Sequence, residues 1–188
     1  MSAASLMWML VAVFIAHEFE EMIMLKPWLA KQGSSIKQRF PRLGPRVLML
    51  YERLSPSALA LAILEQLLLL VAIVVVCVEQ RLYLVWAGLL AAYTLHIVAH
   101  LLQWLILRVY CPFVYSSVLS LAFAGYAALQ LPALTPLPWL PLLAWSLGML
   151  LLIVLNLRLL HGLAPRFDRW LEQRYLGPGR GGAGGACD

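Results

Sequence analysis

Charge is what this chain has least of. Only 12% of its 188 residues are charged and 63% are hydrophobic, whereas soluble domains carry roughly 25% charged residues. That shortage excludes a soluble globular protein, and the mean hydropathy of +0.84 points to an integral membrane one. Cysteine is scarce as well. Cys77, Cys111 and Cys187 are odd in number and scattered, which excludes both a disulfide framework and a cysteine metal site. Four histidines in the whole chain leave few nitrogens for a histidine-rich di-iron centre. No internal repeat is evident.

What is present is a set of apolar runs bounded by charge or proline, covering residues 6–25, Ser57–Val78, Leu82–Leu107, Phe113–Leu131 and Trp139–Leu160. Each is close to the roughly 20 residues that a helix needs to cross a bilayer. They do not alternate, and a sheet with free edges cannot live in lipid, so helices are expected. The fold class is all-α, a polytopic transmembrane helical bundle of about five spans. Residues 1–176 are expected to form one bundle, and residues 177–188 a disordered glycine-rich tail. The first run is expected to be retained rather than cleaved as a signal peptide, since no basic residue precedes it and acidic residues interrupt it. Within Arg166–Leu176, Phe167, Trp170, Leu171 and Tyr175 recur at helical spacing between arginines, which predicts a short helix in the membrane interface. A similar short piece is expected over Arg46–Leu54.

Of the fourteen basic residues, only Arg81 falls between spans two and three. The others lie in the loop Lys26–Ser55, at Arg108, or at and beyond the last helix. The positive-inside rule then places the N-terminus outside and the C-terminus in the cytoplasm. The expected location is a bacterial cytoplasmic membrane. The net charge of +5 reads as a topology signal and an attraction to anionic lipid, with no nucleic-acid partner expected.

Against this apolar background stands His17-Glu18-Phe19-Glu20-Glu21. An acidic residue at bilayer depth costs roughly 2.5 to 3.5 kcal/mol on insertion scales, so these side chains require a partner: a metal, a proton, or polar groups of other helices. His17, Glu20 and Glu21 share one helix face, and His96, His100 and Gln103 repeat the i, i+4 arrangement on span three. At 1.5 Å per residue, the His/Glu residues and Glu65 lie roughly 7 to 18 Å from the cytoplasmic boundary, with His17 and His100 nearly level. A single site is expected, with His17, Glu21, His96 and His100 as metal ligands and Glu20 as catalytic base. Glu65, Gln103 and Asn156 are candidates to support it, and Glu18, about 100° around the helix from His17, is placed outside. The bland alternatives are a packing pair for His96 and His100, a wetted helix end for Glu20 and Glu21, and interface anchoring for Arg108 and Tyr110. Span four offers no comparable charge.

The segment resembles a family of bacterial membrane proteins named for an HXXEE motif, matched by His17, Glu20 and Glu21. The resemblance extends to His96, His100 and Arg108-Val109-Tyr110-Cys111-Pro112, and Phe113 departs from the small residue expected after the proline. It implies a membrane protein whose activity is uncharacterised, with an enzyme suspected from the motif.

Two classes of function follow. One is a metal-dependent membrane hydrolase acting on a lipophilic small molecule from the cytoplasmic leaflet. Imidazoles with carboxylates suit a divalent transition metal, zinc before iron, and such an ion lowers the pKa of bound water from 15.7 toward about 7. The other is a proton- or ion-coupled transporter or sensor that uses the same groups without metal. Against the second, there is no inverted repeat and no polar path in the outer half.

Overall fold

The computed structural model describes residues 1–42, 44–52 and 54–176. The described residues are mostly helical and contain no strand: α1 (Ala3–Arg39), α2 (Gly44–Glu52), α3 (Pro56–Glu79), α4 (Tyr83–Leu107), α5 (Val114–Gln130) and α6 (Trp139–Leu171). The tail 177–188, for which disorder is expected, lies outside the described residues, and Cys187 with it. Ser2 and Ser55 cap α1 and α3 by accepting the amides of Ser5 and Ala58, satisfying donors that a helix start leaves open.

Four helices are long and apolar enough to cross a membrane: α3, α4, the segment Val114–Ala133 that contains α5, and α6 with its extension to Tyr175. The chain is an integral membrane protein. The fifth expected span, at the start of α1, is not among the four, because the apolar turns of this helix run straight into His17, Glu18, Glu20 and Glu21. Its first half nevertheless packs into the bundle, with Leu6, Met7 and Leu10 joining Val74, Trp86 and Ala127 in one buried cluster.

Two boundaries differ from the sequence expectation. The supposed loop after residue 25 is largely helical, since α1 continues past Pro27 to Arg39. A proline removes one backbone donor from a helix, and the packing of Leu25, Trp28 and Ile36 against Leu48 and Phe113 holds the continuation in place. Arg166–Leu176 is likewise no separate helix: α6 runs through Pro165 to Leu171 and ends in a wider π turn, Glu172–Leu176. The short piece after Arg46 is present as α2.

The central member is α4, which buries Trp86, Leu90, Tyr93, Ile97 and His100. Gly88 lets α6 lie against it. A Cβ at this position would stand 2.6 Å from Trp145 Cβ and 2.8 Å from the Trp145 carbonyl carbon. At its far end α4 stops at Arg108 in the left-handed conformation, and the turn through Cys111 and Pro112 brings the start of α5 beside α1. Cys77 and Cys111 are buried free thiols.

Candidate metal centre

His17 faces α4. Its ring centroid lies 5.1 Å from that of His100 and 5.7 Å from that of His96. His96 and His100, one turn apart, hydrogen-bond through their Nε2 atoms at 3.0 Å. One ligand atom from each of the three rings lies within 4.8 Å of the others. Nitrogens around a tetrahedral ion with bonds of about 2.0–2.1 Å stand about 3.3 Å apart, so the three rings already approach the spacing that a zinc-like ion requires.

The proton on His17 follows from its neighbours. As a carboxylate, Glu20 only accepts hydrogen bonds. It takes the backbone N–H of Ser116 at 2.7 Å and that of Tyr115 at 3.4 Å, together with the Ser116 hydroxyl. Having spent its proton on Glu20, Ser116 Oγ accepts from His17 Nδ1, 3.1 Å away. His17 therefore carries its proton on Nδ1 and presents a bare lone pair on Nε2. That nitrogen is buried and has no hydrogen-bond partner, whereas buried polar atoms ordinarily find one. An ion among the three rings would satisfy it.

Glu20 thus stands behind His17, not in the ligand set. The three N-terminal positions of α5 are Val114, Tyr115 and Ser116, and a carboxylate accepting amides there also meets the positive end of the helix dipole. Tyr110, in the turn before α5, donates its hydroxyl to Glu20 at 3.0 Å. Burial, with the bonded carboxylate adding to it, pushes this phenol up to about 12, so it remains a donor. Phe113 packs on His100 with centroids 4.2 Å apart.

The other expected residues scatter. Glu21 is half-buried and outside the histidine cluster. Its charge adds to the burial that holds the Tyr51 phenol on α2 above its ordinary value. Gln103 lines a separate cavity of about 380 Å³ with Trp28 and Leu48. Asn156 donates to Glu65 at 2.8 Å, linking α6 to α3. His161 bonds the Leu157 carbonyl one turn back.

Three residues take parts beside the histidines that the sequence reading did not give them. Ser116 and Tyr110 hold Glu20, and Ser116 holds His17. Neither carries the charge that marks a polar group in a hydropathy profile, although Ser116, Ser117 and Ser120 together are a polar stripe on α5. The third is Glu18. It is only 7% exposed and lines a cavity of about 80 Å³ between α1, α3, α4 and α6, together with His96, Tyr93, Gln66 and Asn156. The 100° that turns Glu18 away from His17 turns it toward this cavity.

No curated protein and no solved structure matches the chain. The family described as a protein of unknown function with HXXEE motif matches residues 8–128, a stretch that includes every histidine of the cluster together with Glu18, Glu20 and Ser116, and the chain belongs to this family.

Proposed function

We propose that His17, His96 and His100 bind one divalent transition metal, zinc before iron, and that the protein is a membrane hydrolase acting on a lipophilic substrate. The observation that carries this reading is the orphaned His17 Nε2, buried beside two further imidazoles with its other nitrogen tied to Ser116. Histidine ligands commonly have the non-ligating nitrogen fixed in this way by an outer partner, which sets the tautomer. Three protein ligands leave one coordination position open, the pattern of catalytic zinc. The ion would supply Lewis acidity and an acidified water.

The chain's own groups divide the remaining work. Glu20, through Ser116, orients His17 and is a positioning residue. Glu18 lines the cavity that His96 borders, and it is the carboxylate available to take a proton from water or substrate. The first half of α1 serves as a fifth membrane segment, the basic loops face the cytoplasm, and the host membrane is a bacterial inner membrane.

Elemental analysis of the full chain, purified in mild detergent without chelator, tests the reading. About one zinc or iron per chain is the expected result, with thermal stabilisation on adding back metal to stripped protein. Substoichiometric metal and no stabilisation by zinc, iron or manganese would overturn it. The proton shared between His96 and His100 would then favour the proton-coupled alternative.

A further inference from the structure

The cavity of about 380 Å³ between α1, α2 and α4 lies apart from the histidines, none of which lines it. It falls within the roughly 300 to 1,000 Å³ of ligand sites, whereas the space beside His96 is only about 80 Å³. Its walls are almost wholly apolar, with Trp28, Phe40 and Leu48 facing Leu102 and Ile106. The Trp28 indole N–H is already given to the Tyr110 carbonyl, which leaves the Gln103 amide and the Tyr51 hydroxyl as the polar side-chain groups of the lining. Lys26 donates to the Tyr51 carbonyl and ties α2 to α1.

The wall contributed by α4 includes Ala99, Leu102 and Ile106, all three exposed, so in a bilayer this side of the cavity meets lipid. From Ala99 to Leu107 the helix rises about 12 Å, which directs the cavity from the end of α4 toward the membrane interior. Arg39 stands at that end. Its guanidinium donates to the Leu107 carbonyl at 2.8 Å and lies 5.3 Å from the Phe40 ring centroid, and both of those residues line the cavity. The bond to Leu107 uses one of the five N–H donors that an arginine carries. No carboxylate of the described residues pairs with Arg39, since the one ion pair among them is Lys37–Glu52.

A hydrocarbon alone would fill the walls and leave this guanidinium unanswered. A free phosphate would answer it and leave the apolar space unfilled. We propose that the cavity holds one acyl chain of an anionic phospholipid, its phosphate on the remaining Arg39 donors and an ester carbonyl accepting from Gln103, one turn further in. A guanidinium matches two phosphate oxygens at once, and basic pockets between transmembrane helices bind anionic head groups. The assignment goes beyond the hydrolase reading and does not rest on it, because the lipid is held here away from the histidines.

Native mass spectrometry of the full chain in mild detergent tests it, with dioleoylphosphatidylglycerol and dioleoylphosphatidylcholine as probes on zinc-loaded and chelator-stripped protein. One phosphatidylglycerol per chain should be retained in both preparations, about tenfold more tightly than phosphatidylcholine, the size of one charge-assisted hydrogen bond. Arg39→Gln should bring phosphatidylglycerol down to the phosphatidylcholine level. Lys31→Gln, at an exposed basic residue of the same helix, should leave the selectivity intact, and Leu102→Trp should weaken both lipids by narrowing the mouth. Neither inorganic phosphate nor oleate should displace the bound lipid. If Arg39→Gln fails to fold, the head-group and competitor series on the unaltered protein decides alone. Equal retention of the two lipids, selectivity that survives in a folded Arg39→Gln protein, or an equal loss in Lys31→Gln would overturn the proposal. Displacement by oleate would assign the site to a fatty acid, and displacement by phosphate to a head group alone, and either would overturn it as well. Selective lipid retention by a protein that binds no metal would leave this inference standing and remove the metal reading, whereas bound metal without lipid selectivity would do the reverse.

Discussion

Two helix faces in this protein carry almost the same pattern and come to different ends. On α4, His96, His100 and Gln103 lie at i, i+4 and i+7; on α1, His17, Glu20 and Glu21 lie at i, i+3 and i+4. Both histidines of α4 enter the cluster, and only His17 does so from α1. The difference lies in what surrounds each helix. The central helix, α4, buries its face under neighbours, so residues one turn apart meet the same space. By contrast α1 is flanked on one side by the start of α5 and on the other by the cavity against α3 and α6. Its polar residues are divided among those neighbours: Glu20 goes to α5, His17 to α4 and Glu18 to the cavity. Shared helical phase predicts a shared site only where one neighbour covers the whole face.

The largest effect expected from this comparison is on α4. His100→Ala removes a ligand and the ring that Phe113 packs on, and stoichiometric zinc should be lost from the purified protein. Gln103→Ala, on the same face but in a different cavity, should keep its metal; equal loss in both would show that the face acts as a unit.

On α1 the effects should be graded. Ser116→Ala removes the acceptor of the His17 Nδ1 proton and one of the donors to Glu20, and outer partners of this kind are worth about 10- to 100-fold in metal affinity, or about 1.4 to 2.8 kcal/mol. Glu20→Gln should fall in the same range, since an amide at the start of α5 turns donors toward donors. Competition with a calibrated chelator measures both. If Glu20→Gln keeps full affinity and loses only turnover, Glu20 is the base after all and the assignment to Glu18 fails.

Acid should release the metal, because a ligand must give up its proton to bind. Zinc retention is expected to decline as pH falls, with about the same profile in Glu21→Gln as in the parent protein, since Glu21 lies outside the histidine cluster. A markedly shifted profile in Glu21→Gln would bring that residue back into the site.

The smallest effect on the cluster, though not on the fold, is expected from Gly88→Ala. The added methyl would press on the Trp145 backbone, and overpacking of this kind costs about 1 to 3 kcal/mol. Thermal unfolding should register the loss while metal stoichiometry stays unchanged, because the contact lies two turns from His96.

The helical class, the membrane setting and the presence of a polar site on the first and third apolar runs follow from the sequence alone. They rest on one-dimensional quantities: hydropathy over 20 residues, the period of a helix, and rise per residue, which set His17 and His100 level before any packing is known. Two things escaped that reading because they depend on what stands opposite. The sequence placed Glu20 among the reacting groups and Glu18 outside, as charge and helical angle suggest, but rotation about α1 acquires meaning only once α5 lies on one side and the cavity on the other. Ser116 was silent for a related reason. A serine in an apolar run has no hydropathy signature of importance, and only tertiary packing decided that its hydroxyl would stand between a carboxylate and an imidazole, fixing the proton on one nitrogen of His17 and leaving the other free.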